Sequence, residues 1–234
     1  MTLPEGPGWE RRAVQRSTGQ MQLRSADRAQ RVVAAVRDLA SERGSTEFTM
    51  VEVAEASGVP LRTLYRQFPG RDELLLALLE DEARLGVSLL DAALAAAVDP
   101  VTRLVSFVLG IWEFMERGSG YASVLVREHL RLAEEYPDET KACLEPFVDC
   151  MVELVEEAGA TLGRRPESGT DVRAEAFVMF SVLLAHMQAI RLFRPELDGR
   201  DAADGVWGFF CAMSGVTGTV PPPDRSPESG KVTA

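Results

Sequence analysis

Residues 49–72 constrain the fold of this chain more than any other segment, because they contain the start and stop signals of two short helices. Thr49 and Glu52 have the spacing of a capping box, in which each side chain accepts a hydrogen bond from the backbone N–H of the other residue. Gly58 suits the position where the chain changes direction after the first helix, since glycine tolerates a positive φ. Pro60 suits the first turn of the second helix, where no backbone N–H is needed. The sequence therefore predicts two short helices joined by a tight turn.

The second of these helices has two chemically different sides. Leu61, Leu64 and Phe68 are spaced i, i+3, i+7 and are expected to pack together against the first helix. Arg62 and Arg66 are four residues apart and share another side. The core between the two helices is predicted to contain Val53, Ala54, Val59, Leu64 and Phe68. Two short helices around a glycine-containing turn are the layout of the DNA-binding helix-turn-helix, so the second helix is the candidate recognition helix.

The same segment resembles the TetR family of bacterial transcriptional regulators. The resemblance is carried by residues 63–65 (Thr-Leu-Tyr), by the aromatic Phe68 at the end of the recognition helix, and by the basic Arg71 at the start of the next helix. Pro60 and Leu61 depart from the family pattern, in which a small hydroxyl residue and a small or polar residue are common. The resemblance implies an all-α fold of about nine helices. It also implies an N-terminal three-helix DNA-binding domain with the helix-turn-helix, followed by a C-terminal helical domain for ligand binding and dimerisation.

Side-chain chemistry and the resemblance together predict which residues contact DNA. Arg62, in the first turn of the recognition helix, is predicted to form a bidentate contact to guanine, and Arg66 to reach a base edge or a phosphate. The hydroxyl and the free backbone N–H groups at Thr49 suit a phosphate, and the resemblance implies DNA-backbone contacts by Tyr65 and Arg71. The complete candidate DNA-binding set is Thr49, Pro60, Leu61, Arg62, Thr63, Tyr65, Arg66 and Arg71.

The net charge of −11 is unusual for a DNA-binding protein, but it is unevenly distributed. Residues 1–80 contain 11 Lys/Arg and 11 Asp/Glu, whereas residues 81–234 contain 14 and 25. We therefore expect the acidic body to face away from DNA and to weaken non-specific binding by repulsion.

Composition divides the chain into four segments. Residues 1–24, with several Pro, Gly and Arg residues, are predicted to be a flexible basic arm, and both a minor-groove contact and the absence of any specific role stay open for it. Residues 25–71 are assigned to the helix-turn-helix DNA-binding domain, 72–216 to the helical ligand-binding and dimerisation domain, and 217–234 to a disordered tail. The predicted helices outside the motif are Asp27–Glu42, Asp72–Val98, a helix starting at Asp99-Pro100, Tyr121–Glu135, Pro137–Thr161, Val172–Phe193 and Ala202–Val216.

Sequence motifs of other function classes are missing. The sequence contains no Gly-rich phosphate loop, no nucleophile elbow and no zinc-protease motif, and its two histidines lie far apart. We therefore expect no catalytic residues, no metal site and no cofactor. The sequence has no run of 18 apolar residues and no signal peptide, which predicts a cytoplasmic protein without membrane contact and with three reduced cysteines.

Aromatic and methionine residues in the C-terminal half belong to a core and are also candidates for a ligand cavity. Family members build such a cavity among the central helices of this domain, so the resemblance implies one here. Aromatic and thioether side chains favour a mainly apolar small-molecule effector, with His129 or His186 as a polar anchor. The candidate ligand-binding set is Phe107, Ile111, Trp112, Met115, Tyr121, Leu125, His129, Met151, Leu183, His186 and Met187.

Small residues recur along one face of each of the last two predicted helices. Glycine inside a helix costs about 1 kcal/mol relative to alanine, so several glycines on one face indicate the close approach of another helix. The resemblance implies that these helices pair with their symmetry mates in a homodimer, and packing within one subunit is the alternative. The candidate dimer-interface set is Ser181, Ala185, Ala189, Gly205, Gly208, Ala212 and Gly215.

These observations predict a dimeric, sequence-specific DNA-binding regulator that acts as a repressor and is released from a double-stranded DNA operator by a small-molecule effector. One alternative is a ligand-independent DNA-binding or architectural protein with a solid core. The other is a helical small-molecule carrier or enzyme whose helix-turn-helix is incidental.

Overall fold

The computed structural model describes residues 21–116, 121–161 and 171–194, together with 196–198, 201, 204–205 and 208–209. Within these residues the regular secondary structure consists of helices only, which confirms the predicted all-α fold. The eight helices that the described residues form are α1 Met21–Arg43, α2 Met50–Ser57, α3 Leu61–Gln67, α4 Arg71–Ala95, α5 Pro100–Glu116, α6 Tyr121–Glu135, α7 Pro137–Thr161 and α8 Val172–Phe193.

Several sequence-based predictions concern residues outside the described ones. They are most of the predicted basic arm (1–20), most of the predicted helix Ala202–Val216, and the predicted tail at 217–234. Cys143 and Cys150 are buried.

Helix boundaries agree with the sequence-based ones except at two ends. Helix α1 begins at Met21, six residues before the predicted start at Asp27, because the residues between them contain no helix-breaking Pro or Gly. Helix α4 ends at Ala95, three residues before the predicted end. Helix α7 runs through Pro146 without interruption.

The described residues belong to two compact units, one drawn from residues 1–89 and 113–147 and the other from residues 90–112 and 148–234. The first unit contains α1, α2 and α3, whose buried residues form an apolar core. Its most completely buried members are Ala29, Val32, Val36, Ala40, Val53, Val59, Leu64, Leu74, Leu75, Ala77, Leu78, Leu125 and Leu132. The core predicted for the helix pair is therefore confirmed, with Ala54 partly buried against it.

Ion pairs join helices within the first unit. Arg37 of α1 donates through Nε to Glu82 of α4 over 2.6 Å and also bonds to Asp81. Arg131 of α6 donates to both carboxylate oxygens of Asp72, at 3.0 and 2.7 Å. The Asp72 carboxylate has a pKa below its ordinary value because of these bonds. Helix α4 is thereby bonded near its start to α6 and along its length to α1.

The second unit has an apolar interior of its own. Phe107 of α5 and Phe180 of α8 meet edge to face, with ring centroids 6.4 Å apart. Arg103 of α5 pairs with Glu157 of α7. Other buried residues of this unit are Leu104, Val108, Ile111, Met151, Leu154, Val155, Ala158, Ala176, Met179, Leu183, Met187 and Ile190.

Helix α8 leaves much of its apolar surface uncovered. Phe177, Val178, Leu192 and Phe193 are all exposed. Among the described residues, one stretch, Val172–Ile190 in this helix, is long and apolar enough to cross a membrane by length and composition, a test that helices of soluble proteins also pass. Exposed apolar faces of this kind are typical of interaction surfaces.

Candidate nucleic-acid interface

Helix α2 starts with the capping box that the sequence predicts. Oγ1 of Thr49 accepts a hydrogen bond from the backbone N–H of Glu52 over 3.2 Å, and the Glu52 carboxylate accepts one from the backbone N–H of Thr49 over 2.7 Å. Gly58 ends the helix with a φ of 64°, in the left-handed region. The two short helices and the glycine turn between them are therefore confirmed.

The same Glu52 also connects α2 to α1. Arg43, the last residue of α1, donates to the Glu52 carboxylate over 2.6 Å and to the carbonyl of Glu47 over 2.8 Å. The bond from Arg43, followed by the bonds from Thr49, lowers the pKa of Glu52 to about 2. The start of α2 is thus fixed by a charged group that stays ionised throughout the physiological pH range.

Helix α3 is held in place by its inner side. Leu64 and Phe68 are buried in the core of the first unit. Gln67 is buried as well, and its Nε2 donates to the carbonyl and to the hydroxyl of Ser25 in α1, at 3.1 and 2.9 Å. No local sequence pattern identifies this glutamine as a buried anchor, because only the fold brings residues 25 and 67 together.

The sequence-based placement of Leu61 on the packed side is wrong. Its side chain is 37% exposed, whereas Leu64 one turn later is fully buried. Successive helix residues are about 100° apart, so the inclusion of Gln67 moves the centre of the packed side away from Leu61. Leu61 lies at the edge of that side and opens onto the outer face.

The outer face of α3 therefore carries Leu61, Arg62, Tyr65 and Arg66. Both arginines are exposed, and Tyr65 is 48% exposed. Within the described part of the chain, the guanidinium groups of Arg62 and Arg66 form no hydrogen bond or ion pair. Thr63 lies half-buried beside this face. The two arginines are available to an external ligand.

Other arginines in the same unit are already neutralised. Arg37 bonds two carboxylates, Arg43 bonds Glu52, and Arg131 bonds Asp72 and Glu128. In an acidic chain, exposed guanidiniums without a carboxylate partner give α3 a local positive charge, and this favours an anionic partner.

The guanidinium of Arg71 already has partners within the chain, whereas a phosphate contact was expected for it. Its Nη2 donates to the carbonyl of Thr46 over 2.7 Å, and its guanidinium lies 5.5 Å from the centre of the Phe48 ring. Glu47 approaches it at 3.6 Å. Arg71 thus fixes the loop between α1 and α2 onto the start of α4, and its phosphate contact stays a prediction.

An open cleft of about 600 Å³ lies beside Arg71 within the first unit. Its wall includes residues 69–73 from the start of α4, with Arg131, Glu135 and Tyr136. The sequence analysis did not predict this cleft, because its two sides are about 60 residues apart in sequence. In the described part of the chain, no group of three or more His, Cys, Asp or Glu side chains is arranged to hold a metal ion.

The predicted ligand-binding residues fall into both units. In the first unit, Met115 and Leu125 are buried, and Nδ1 of the half-buried His129 bonds to the carbonyl of Val126. The side chain of Tyr121 is outside the described residues. In the second unit, Trp112 and His186 are half-buried, and the remaining candidates are buried: Phe107, Ile111, Met151, Leu183 and Met187. The effector site stays a prediction.

The candidate dimer residues on α8 are exposed. Ser181, Ala185 and Ala189 lie on the side of the helix that also carries Phe177 and Val178. Gly205 and Gly208 have different surroundings: a Cβ at Gly205 would come within 2.8 Å of Nε2 of His186 in the same chain, whereas one at Gly208 would meet no atom within 4 Å. Packing within the subunit thus explains the glycine at 205 but not the glycine at 208. Ala212 and Gly215 lie outside the described residues.

Comparison with known proteins places this geometry in a family. The profile of the family described as bacterial regulatory proteins, tetR family, matches residues 32–78, which include α2, α3 and the start of α4. No curated protein matches the chain in sequence.

Solved structures share the fold over most of the chain. The fatty acid degradation regulator FadR from Bacillus halodurans is 16% identical over 83% of this chain and 96% of that one, with a TM-score of 0.61. The transcriptional regulator FadR from Bacillus subtilis, in complex with stearoyl-CoA, is 14% identical over 77% and 96%, with a TM-score of 0.62. A bacterial regulatory protein in the tetR family from Rhodococcus RHA1 is 20% identical over 82% and 98%, with a TM-score of 0.59. The chain therefore carries, at residues 32–78, the DNA-binding domain of the TetR family of bacterial regulatory proteins, and it is a DNA-binding transcriptional regulator with the fold of that family.

Proposed function

We propose that the protein is a homodimeric cytoplasmic repressor that binds a two-half-site operator through α3 and leaves it when a mainly apolar effector binds. The observation that carries this proposal is the pair of unpaired, exposed guanidiniums on the outer face of α3, in a chain with a net charge of −11. In the proposed organisation, residues 25–71 bind DNA and residues 72–216 bind the effector and form the dimer.

The proposed contacts divide into base reading and phosphate binding. Arg62 reads a guanine in the major groove, and Arg66 reaches a base edge or a phosphate one turn later. Tyr65 contacts a phosphate through its hydroxyl. Thr49 donates its backbone N–H and its hydroxyl to the Glu52 carboxylate, at 2.7 and 2.9 Å, so the phosphate contact proposed for Thr49 requires it to exchange these bonds for bonds to DNA. Pro60 and Thr63 border the same surface, and Arg71 supports it by holding the loop before α2, with a phosphate contact through its exposed edge.

The connection from effector to DNA runs through α4 in this proposal. Arg37 bonds α1 to Asp81 and Glu82 of α4, so a displacement of α4 carries the helix-turn-helix with it. Arg131 of α6 holds Asp72 at the start of α4. Two recognition helices must lie about 34 Å apart to occupy successive major grooves. A small tilt of α4 in each subunit changes this distance, so the two helices no longer fit both half-sites.

The dimer is proposed to form through the exposed side of α8 and the predicted helix that follows it. The exposed Phe177 and Val178 beside Ser181, Ala185 and Ala189 support this, because large apolar side chains next to small ones allow two helices to pack closely. Gly208→Leu tests the placement, since a Cβ at this position meets no atom of the described part of its own subunit within 4 Å. We expect folded monomers in sedimentation. A fully dimeric Gly208→Leu variant would place the interface elsewhere.

The effector is proposed to be a compound with a long apolar part, held among the buried apolar side chains of the C-terminal helices. Buried apolar residues such as Phe107, Met151 and Met187 in the second unit support an apolar occupant, and the similar FadR from Bacillus subtilis was solved with stearoyl-CoA. Stearoyl-CoA is therefore the first probe, with coenzyme A alone as the control. We expect stearoyl-CoA to weaken operator binding about 5–150-fold, the range of typical allosteric coupling. No effect of stearoyl-CoA, or an equal effect of coenzyme A, would exclude an acyl chain as the effector.

A variant of the proposed pocket separates the effector response from DNA binding. Trp112→Ala should abolish the response to an active effector while operator affinity is unchanged, because Trp112 lies outside the DNA-binding domain. A variant that responds normally would move the effector site away from Trp112.

The DNA-binding proposal itself is tested by selection from a random duplex library with the purified full-length protein. We expect an enriched sequence with two inverted half-sites about one helical turn apart, each containing a guanine. Enrichment of single, unpaired sites would contradict the dimeric repressor, and no enrichment at all would contradict sequence-specific binding.

A further inference from the structure

Leu61 is an exposed apolar side chain on the surface that also carries the charged Arg62 and Arg66. Most large apolar residues of α1, α2 and α3 are buried in the core of the first unit, but Leu61 is 37% exposed at the first position of α3. Its packing does not explain a leucine, because Leu64, Gln67 and Phe68 alone form the buried side of the helix. The exposed part of Leu61 is accessible to an apolar group of a partner molecule.

The backbone around Leu61 is rigidly held. The carbonyl of Pro60 accepts hydrogen bonds from the backbone N–H groups of Thr63 and Leu64, at 2.7 and 3.0 Å. Pro60 itself has its φ restricted by its ring. The backbone of the first turn of α3 is therefore fixed before any ligand binds, so Leu61 loses little further backbone freedom when it makes a contact.

The outer face of α3 presents two parallel stripes of different chemistry. Leu61 and Tyr65 are four residues apart and form an apolar stripe, and Arg62 and Arg66 form a cationic stripe next to it. In the major groove, guanine offers two hydrogen-bond acceptors to arginine, whereas thymine alone of the four bases offers a methyl group. A leucine adjacent to an arginine therefore matches a thymine adjacent to a guanine.

We propose that Leu61 reads the 5-methyl group of a thymine that neighbours the guanine contacted by Arg62 in each half-site. This inference rests on the proposed function, in which α3 enters the major groove. It assigns to Leu61 a preference for thymine over the same base without its methyl group. Hydrogen-bonding side chains cannot supply this preference, because removal of the methyl group leaves every hydrogen-bonding group of the base pair unchanged.

The test replaces single thymines of the selected operator by deoxyuridine, which removes only the methyl group. We expect that replacing one particular thymine in each half-site weakens binding about fourfold, the effect of one buried carbon group. This thymine should lie within one base pair of the guanine whose contact is lost in Arg62→Ala. The Leu61→Ala variant should bind the thymine and deoxyuridine operators with equal affinity. Leu61→Met, which keeps an apolar side chain of similar length, should retain the preference.

Leu85→Ala is the matched control, since Leu85 is a leucine of similar exposure, 42%, on α4. This variant should keep the wild-type ratio of the two affinities. The inference is overturned if no thymine shows the preference, or if Leu61→Ala keeps the wild-type ratio. Both outcomes differ from a failure of the proposed function, in which the selection yields no specific operator at all.

Discussion

Helices α3 and α8 both expose large apolar side chains, but the residues around them differ. On α3, Leu61 and Tyr65 lie beside the unpaired Arg62 and Arg66. On α8, the exposed Phe177 is followed along its side of the helix by small residues, with Ala185 as an example. The first surface combines apolar contacts with two positive charges, and the second is apolar and closely approachable.

This difference indicates two kinds of partner. The face of α3 is complementary to a polyanion with apolar groups in its grooves, such as duplex DNA. The face of α8 is complementary to a second apolar helix, because their contact would remove apolar surface from water without leaving a charge unpaired. The composition around an exposed apolar residue is thus more informative about its partner than the exposure itself.

The largest effect is expected at the inner side of α3, where Leu64 is fully buried. Leu64→Ala should lower the free energy of unfolding by about 2–5 kcal/mol, because it leaves a cavity in the core. Leu61→Ala, on the outer face, should change this free energy by less than about 0.5 kcal/mol. Urea denaturation of both variants measures the difference. Equal destabilisation would mean that α3 has no distinct outer face.

A smaller effect is expected on α8, where Phe177 is 59% exposed. Phe177→Ser should weaken the dimer by about 1–2 kcal/mol per subunit, because the apolar area that dimerisation buries is lost. The matched control is Leu130→Ser on α6, where the leucine is 70% exposed. Analytical ultracentrifugation over a concentration series measures the dissociation constant. If Leu130→Ser weakens the dimer as much as Phe177→Ser does, α8 is not the interface.

The smallest effect concerns the polar support of α3 through the start of α2. The pKa of Glu52 is about 2 in the folded protein, below its ordinary value of 4.5. Ionised Glu52 therefore stabilises the fold above pH 4.5, and this contribution is lost as the pH falls from 4.5 to 2. Glu52→Gln should be less stable at neutral pH and should lose less stability over this acid range.

The control for the acid titration is Glu55→Gln in the same helix, since Glu55 forms no ion pair among the described residues. It should lose stability as steeply as the wild type between pH 4.5 and 2, as measured by thermal unfolding at each pH. An equally steep loss in Glu52→Gln would show that the capping box does not cause the acid sensitivity.

Local signals in the sequence predicted most of the helix-turn-helix, and long-range contacts account for what they missed. The capping box at Thr49 and the positive φ of Gly58 depend on neighbouring residues only, so their residue types identify them. The bond from Gln67 to Ser25 joins residues 42 positions apart, and no local pattern contains it. The exposure of Leu61 follows from that bond, because the packed side of α3 is centred nearer to Gln67.

The environment of Arg71 was unpredictable for the same reason. Its bond to the carbonyl of Thr46 depends on the path of the loop before α2, which the residue types do not specify. For the predicted effector site, most of the side chains that the sequence identified are buried, but burial alone does not distinguish a core from a cavity wall.

The central claim is that the outer face of α3 reads DNA through Arg62, and N7-methylation interference on the selected operator tests it most directly. Methylation of one guanine per half-site should block binding of the wild-type protein, because the methyl group occupies the acceptor that Arg62 contacts. Arg62→Ala should bind the methylated and unmethylated operators equally, whereas Arg103→Ala, which removes an arginine of α5 paired with Glu157, should retain the interference. Interference at the same guanine in Arg62→Ala, at wild-type strength, would contradict the account.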